Sequence, residues 1–61
     1  MPFVQIDMIE GRTIEQKREM VKKITEVISE TAKCPAEAIN IVIREAKKEH
    51  IAKAGTLMCD K

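Results

Sequence analysis

The feature that most constrains the fold is a pair of alternating apolar segments separated by one long amphipathic segment. The first alternating segment runs from Pro2 to Ile9 and the second from Ile39 to Glu45, and a period of two residues is typical of β-strands. Two strands joined by a helix within one sheet require a right-handed crossover, which makes the strands parallel. The sequence therefore predicts an α+β fold made of one β-α-β unit.

The segment between the strands carries the signals of a helix. Thr13 and Gln16 have the spacing of a capping box, so we expect a helix to begin near Ile14. Cys34-Pro35 should end it, because a residue that precedes proline is driven out of helical geometry. The predicted apolar stripe of this helix consists of Met20, Val21, Ile24, Val27, Ile28 and Ala32.

The third part of the chain has a weaker pattern. Ala54-Gly55 predicts a turn, so we expect a loop with short extended pieces after Arg44. The helix should cover one sheet face, which leaves Phe3 and Val42 on the other. A chain of 61 residues buries little surface by itself, and two strands alone rarely form a stable sheet. We therefore predict one domain, 1–61, whose sheet is extended by dimerisation and covered by further association into a homo-oligomer.

Charge and composition exclude several classes of function. Eleven basic and ten acidic residues nearly cancel, and Phe3 is the only aromatic residue, so binding to nucleic acid or to anionic lipid is not expected. No segment has the length of a membrane span or the pattern of a secretory signal, which predicts a cytoplasmic protein. Cys34, Cys59 and His50 lack the spacings of a zinc site, so no metal is expected. The two cysteines are interpreted as small packing residues, and His50 as a surface group.

Pro2 is the first candidate for chemistry. Methionine is commonly removed when a small residue follows it, and removal of Met1 would expose a secondary amine at Pro2. An α-amino group has an ordinary pKa of about 7.7 to 8.0, which burial or a nearby cation lowers toward neutrality. Such an amine can act as a base. If Met1 remains, the Pro2 nitrogen is an amide and cannot do so; Pro2 would then simply begin an edge strand.

Arg12 is the second candidate, because it lies in the turn before the predicted helix. A guanidinium beside free helix amides can bind an anion such as a carboxylate. The alternative is an exposed surface charge.

These residues also belong to a longer pattern. The segments Pro2-Phe3-Val4-Gln5-Ile6 and Glu10-Gly11-Arg12-Thr13-Ile14-Glu15-Gln16-Lys17 resemble the opening of the 4-oxalocrotonate tautomerase family. With lower specificity, the resemblance continues through the helix, the second strand and the glycine-containing tail.

The resemblance implies a β-α-β protomer assembled into a hexamer of three dimers, without a cofactor. It implies that Pro2 is the general base and then the general acid in keto-enol tautomerisation of a small carboxylic acid such as a 2-hydroxydienoate, as in aromatic degradation. Arg12 matches the arginine that binds substrate carboxylate. The main-chain amide of Ile9 matches a position near the substrate.

Two positions depart from the family pattern. Asn40 stands where a second arginine neutralises charge on the substrate carbonyl oxygen, and an amide can donate a hydrogen bond but no charge. Arg44, on the same predicted sheet face, either substitutes for that arginine or forms a surface salt bridge. Ile51 stands where an aromatic residue commonly packs on the proline, and its bulk should still exclude water.

Three functions therefore remain in competition. The first is a tautomerase. The second is a related enzyme in which Pro2 activates water, as in hydratases and dehalogenases, or condenses with a carbonyl compound. The third is an oligomeric scaffold without catalytic activity, which the departures at Asn40 and Ile51 favour.

Overall fold

The structure is a computed structural model, and it describes residues 1–60. It contains strands β1 (Phe3–Ile9) and β2 (Asn40–Ala46), helix α1 (Ile14–Ala32), the short strands β3 (Ala52–Lys53) and β4 (Thr56–Leu57), and single 3-10 turns at Ala36–Ala38, Lys48–His50 and Met58–Asp60. Strands β1 and β2 pair in parallel, from Phe3 opposite Asn40 to Ile9 opposite Ala46. The predicted β-α-β unit is confirmed.

The two faces of this sheet differ, as the alternation predicted. Helix α1 lies over one of them, where the Lys17 ammonium meets the Glu45 carboxylate at 2.5 Å. We name this the covered face: Val4, Ile6, Met8, Ile41, Ile43 and Glu45. We name the opposite side the open face: Phe3, Gln5, Asp7, Ile9, Asn40, Val42, Arg44 and Ala46. Phe3 is 63% exposed there, as expected, whereas Val42 is half-buried.

The helix begins where its capping box predicted. The Gln16 amide donates to the Thr13 hydroxyl at 3.1 Å, and the Thr13 amide donates to the Gln16 side-chain oxygen at 2.9 Å. Each bond satisfies an amide that would otherwise lack a partner at a helix start. The helix ends slightly earlier in the chain than predicted. Its last residue is Ala32, because Lys33 takes a left-handed conformation with φ 57°. That conformation, more than Cys34-Pro35, terminates the helix.

Two members of the predicted apolar stripe of the helix are exposed in the single chain. Val27 is 58% exposed and Ala32 is also exposed, whereas the other four members are half-buried. A two-stranded sheet is narrow, so it covers only the central part of a helical stripe. The flank that carries Val27 is left in solvent.

The tail forms a small hairpin, which gives the expected extended pieces a defined pairing. Ala54 and Gly55 link β3 to β4 with φ 53° and 81°, the signs of a type I′ turn. The Met58 amide then donates to the Ile51 carbonyl at 2.7 Å and ties the chain end to the hairpin.

A single chain has almost no interior. None of residues 1–60 is fully buried. The radius of gyration is 14.7 Å and the extents are 43 × 24 × 13 Å, whereas a compact domain of this length has a radius of about 10 Å. The protomer is therefore a thin slab. Cys34 is half-buried as expected for a packing residue, but Cys59 is exposed, because this slab offers nothing to cover it. Within residues 1–60, no helix has both the length and the apolar character needed to cross a bilayer.

Candidate active site

Pro2 lies at the end of the sheet where both long strands begin. It is half-buried, and β1 starts one residue after it, at Phe3 rather than at Pro2 as expected. Its carbonyl accepts a hydrogen bond from the Asn40 amide at 3.1 Å. Met1, which precedes it, is 91% exposed. The bond that must be cleaved to free the Pro2 nitrogen therefore adjoins a residue that makes little contact with the protein.

Asn40 is the predicted site residue that the structure brings next to Pro2. It opens β2 and lies opposite Phe3 on the open face. Its side-chain amide donates a long hydrogen bond to the Ala38 carbonyl at 3.4 Å, which leaves its second N–H available. A substrate oxygen near Pro2 can therefore meet a neutral donor from the neighbouring strand.

Ile9 and Ile51 lie together at the opposite end of the sheet. They line one depression of about 490 Å³, whose other walls include His50 and Met58. Ile51 follows the 3-10 turn Lys48–His50 and is half-buried. His50 is exposed, as predicted for a surface group. The wall of this depression is mainly aliphatic, which suits the exclusion of water.

Arg12 lies in the loop between β1 and α1, at the same end of the sheet as Ile9. Gly11 precedes it with φ 128°, a conformation that favours glycine and turns the chain toward the helix. Arg12 is exposed, and none of the ion pairs formed among residues 1–60 includes it. Its guanidinium is available to an anion beside the first turn of α1.

The predicted site residues thus form two groups within one chain. Pro2 and Asn40 are at one end of the sheet, and Ile9, Arg12 and Ile51 are at the other. The seven steps along the chain from Pro2 to Ile9, at about 3.3 Å each in a strand, separate the two groups by about 23 Å. A small acid cannot reach both groups, so one chain does not contain the whole predicted site.

The sequence prediction missed two residues that line these regions. Phe3 follows Pro2 and lies opposite Asn40 on the open face. The alternation of the first strand predicted that Phe3 lies on this face, but it gave no reason to assign Phe3 to a site. Met58 shares the depression with Ile51. Only the folding of the hairpin brings it there, because the tail has no periodic pattern.

Comparison with known proteins assigns the family. A family model described as tautomerase enzyme matches residues 2–61. The chain belongs to the tautomerase family. It is 47% identical over 60 residues to a protein of Bacillus subtilis (strain 168) named 2-hydroxymuconate tautomerase, with 98% of this chain and 97% of that protein covered. A protein of Bacillus cereus named probable tautomerase is 44% identical over 61 residues, with both chains covered completely.

Solved structures agree with this assignment. A crystal structure of a homologue of 4-oxalocrotonate tautomerase has a TM-score of 0.94 and 45% identity, with 98% of each chain covered. A heterohexamer 4-oxalocrotonate tautomerase from Chloroflexus aurantiacus J-10-fl has a TM-score of 0.91 and 27% identity, over 98% of this chain and 97% of its own. Membership in the tautomerase family identifies the protein as an enzyme of the tautomerase class and confirms the expected resemblance.

Proposed function

We propose that this tautomerase-family protein interconverts the keto and enol forms of a small carboxylic acid, with the Pro2 nitrogen as the proton carrier after Met1 is removed. The observation that carries the proposal is the position of Pro2, half-buried behind an exposed Met1 at the start of β1. The tautomerase names of the relatives support the reaction class, and 2-hydroxymuconate in one of those names suggests a 2-hydroxydienoate as substrate.

The proposed reaction moves one proton and needs no other reactant. The uncharged Pro2 amine removes a proton from the enol hydroxyl or from a carbon beside a carbonyl, and the electron pair shifts along the conjugated system. The protonated amine then returns a proton to a carbon further along that system. The substrate is isomerised, and the amine regains its starting state.

The separation of the two groups of site residues supports a site shared between chains. The outer edge of β1 is unpaired in one chain, and the edge of a sheet is a template for another strand. If two copies pair β1 antiparallel with full overlap, Ile6 lies at the twofold axis. Phe3 is then opposite Ile9 of the second copy, and Pro2 is opposite its Glu10. We propose this dimer as the unit of a homohexamer.

In such a dimer, Pro2 of one copy approaches the second group of the other. Arg12 then binds the substrate carboxylate, and the Ile9 amide lies beside the substrate. Ile51 excludes water, which favours the uncharged amine. Asn40, next to Pro2 in the same chain, donates a hydrogen bond to the carbonyl oxygen in place of a charged group, so we expect weaker stabilisation of a developing oxyanion than an arginine would give.

Ketonisation of 2-hydroxymuconate and phenylenolpyruvate tests this proposal, with protein whose intact mass shows that Met1 is absent. We expect a rate above the buffer background that falls by about 100-fold or more in Pro2→Ala, since proton transfer by a positioned group contributes that much. Arg12→Ala should raise KM more than it lowers kcat, because its carboxylate contact exists before the transition state. Arg18→Ala is the matched control and should change neither, because Arg18 is exposed on α1.

Two results would contradict the proposal. An unchanged rate in Pro2→Ala would remove the proline from the mechanism and leave the scaffold interpretation. Covalent trapping of a carbonyl substrate by borohydride, lost in Pro2→Ala, would instead show the amine acting as a nucleophile.

A further inference from the structure

The end of the sheet that carries Pro2 has no charge on its strands. The strands begin there with Phe3 in β1 and Asn40 in β2, which are paired in register, and neither side chain ionises. The first charged residues along the two strands are Asp7 and Arg44, each four residues further on. At about 3.3 Å per residue in a strand, they lie about 13 Å from that end. A molecule bound beside Pro2 therefore meets neutral strand residues first.

Charges outside the strands do not make this end positive. The exposed ionisable residues between the last turn of α1 and the start of β2 are two acids and one base: Glu30, Glu37 and Lys33. Arg44 is held elsewhere, because its guanidinium lies 4.0 Å from the Asp7 carboxylate. Of the two alternatives for Arg44, the structure shows the surface salt bridge, and no cation replaces an arginine at the Pro2 end.

The opposite end of the sheet has a cation in excess. Arg12 is exposed and belongs to none of the ion pairs formed among residues 1–60. The depression at this end has two bases and two acids in its wall: Lys47, Lys48, Glu10 and Glu49. Their charges cancel in sum, so Arg12 supplies the net positive charge that can attract an anion. The two ends of the sheet therefore differ in charge, one neutral and one positive.

A dicarboxylic acid would place a charge at each of these ends. In the shared site proposed above, one carboxylate binds Arg12 of one copy, and a stiff conjugated chain directs the other carboxylate toward Pro2 and Asn40 of the second copy. There it would meet only a neutral amide, and a carboxylate that loses water without a cation is costly. A methyl or phenyl group at that position would instead pack against Phe3, which is 63% exposed.

We infer that the site selects enol acids with one carboxylate and an uncharged far end over dicarboxylic acids, and that Asn40 is the residue that sets this selectivity. The inference rests on the proposed function and narrows its substrate class. Of the two substrates named above, it favours phenylenolpyruvate, a monoacid, over 2-hydroxymuconate, a diacid.

Two dienols that differ only at the far end test this selectivity. 2-Hydroxymuconate has a carboxylate there, and 2-hydroxyhexa-2,4-dienoate has a methyl group in its place. The assay uses protein whose intact mass shows that Met1 is absent, and it divides kcat/KM for ketonisation by the rate in buffer alone. We expect this quotient to be at least about 10-fold higher for the monoacid, because the diacid leaves one carboxylate unpaired. Equal quotients, or a higher one for the diacid, would overturn the inference.

Three variants test the role of Asn40. Asn40→Arg should raise the diacid-to-monoacid ratio by about 10-fold or more, because it supplies a cation where the second carboxylate lies. Asn40→Gln lengthens the side chain without adding charge and should keep the ratio within about twofold. Thr31→Arg adds the same charge on the exposed surface of α1 and should also leave the ratio unchanged. A ratio that Asn40→Arg does not raise, or that either control raises equally, would contradict the assignment of Asn40.

The lysines beside Arg12 provide the competing explanation. Lys47 and Lys48 are exposed, and a flexible ammonium could reach the second carboxylate of a diacid. Lys47→Met and Lys48→Met keep the aliphatic stem and remove the charge, and neither should change the diacid-to-monoacid ratio. If either variant lowers the ratio by about 10-fold, a lysine binds the second carboxylate and the inference fails.

Inhibition of the unmodified protein makes the test independent of how any variant folds. 2,4-Hexadienoate and 2,4-hexadienedioate lack the enol hydroxyl and cannot react, but they carry the same two far ends. The monoacid should inhibit competitively at a concentration several-fold lower than the diacid, and the reverse order would overturn the inference.

The same assays separate this inference from the proposed function. If neither dienol is ketonised in a way that depends on Pro2, the proposed function fails and the inference falls with it. If both are ketonised by a Pro2-dependent reaction without discrimination between them, only the inference is overturned.

Discussion

The covered face and the open face come from the same two strands, yet their environments differ. On the covered face, an aliphatic set lies under α1, and Lys17 and Glu45 form a close pair with side chains 24% and 27% exposed. On the open face, Phe3 is largely exposed and the charges of Asp7 and Arg44 are loosely paired. The alternation of side chains assigns residues to each face, but only the covered face packs against another element of the chain, helix α1.

From this contrast we infer that the covered face serves folding, whereas the open face serves the proposed association. The covered face holds the helix against the sheet and defines the protomer. The open face contributes little until a second surface covers it. The predictions below test that division, from the largest expected effect to the smallest.

The largest effect on stability should come from a mutation that introduces a charge on the covered face. Ile41 and Val42 are neighbours in β2 on opposite faces. Ile41→Asp should destabilise the protein by about 3 kcal/mol or more and remove the helical circular dichroism signal, because its carboxylate would lie unpaired under α1. Val42→Asp should keep that signal at high protein concentration but reduce the native mass. Equal loss of helix signal in both variants would break the distinction between the faces.

Dilution provides a second test without any mutation. Because none of residues 1–60 is fully buried, stability should depend on association, and the thermal unfolding midpoint should fall by several degrees on 100-fold dilution. Differential scanning fluorimetry over that range measures the shift. A midpoint independent of concentration would mean that the covered face alone stabilises the chain.

The capping box should contribute about 1 kcal/mol to the free energy of unfolding. Thr13→Ala removes the hydroxyl that accepts from the Gln16 amide. Thr31→Ala is the matched control, because its hydroxyl bonds to the Val27 carbonyl within the helix, where alanine is favourable. Denaturant unfolding at one fixed protein concentration should show a loss only for Thr13→Ala. A comparable loss in both variants would show that the cap has no special role.

The ion pair between helix and sheet should contribute somewhat less. Lys17→Met keeps the aliphatic stem and removes the charge that meets Glu45, so we expect a loss of about 0.5 to 1 kcal/mol. Lys23→Met, which breaks the more exposed pair with Glu19, should change the free energy of unfolding by about 0.3 kcal/mol or less. Urea denaturation of both variants checks the order, and the reverse order would contradict a role for Lys17 in holding the covered face.

The smallest effect concerns the hairpin turn. Ala54 has φ 53° in a type I′ turn, a conformation that asparagine tolerates better than alanine. Ala54→Asn should therefore raise the unfolding free energy by about 0.5 kcal/mol, and Gly55→Ala should lower it, because Gly55 has φ 81°. No gain in Ala54→Asn would mean that the hairpin contributes nothing to the stability of the assembled protein.

Much of the fold was predictable because it depends on residues close in sequence. The two strands, the parallel pairing and the Thr13 cap follow from a period of two, a crossover rule and a four-residue motif. The helix ends one residue earlier than predicted, because a left-handed Lys33 has no strong signal in the sequence. Exposure of Val27 was missed because periodicity describes a helix face and says nothing about the width of the sheet beneath it.

The candidate site likewise has a part that was predictable from the sequence and a part that depended on the tertiary structure. The sequence by itself singled out Pro2 and Arg12 as candidates, because a proline after methionine and an arginine before a cap can carry specific chemistry. Only the tertiary structure decided that Pro2 and Asn40 share one end of the sheet while Ile9, Arg12 and Ile51 share the other. The physical reason is the length of an extended strand. Residues that are only seven positions apart in sequence are about 23 Å apart in space when the chain between them is a strand.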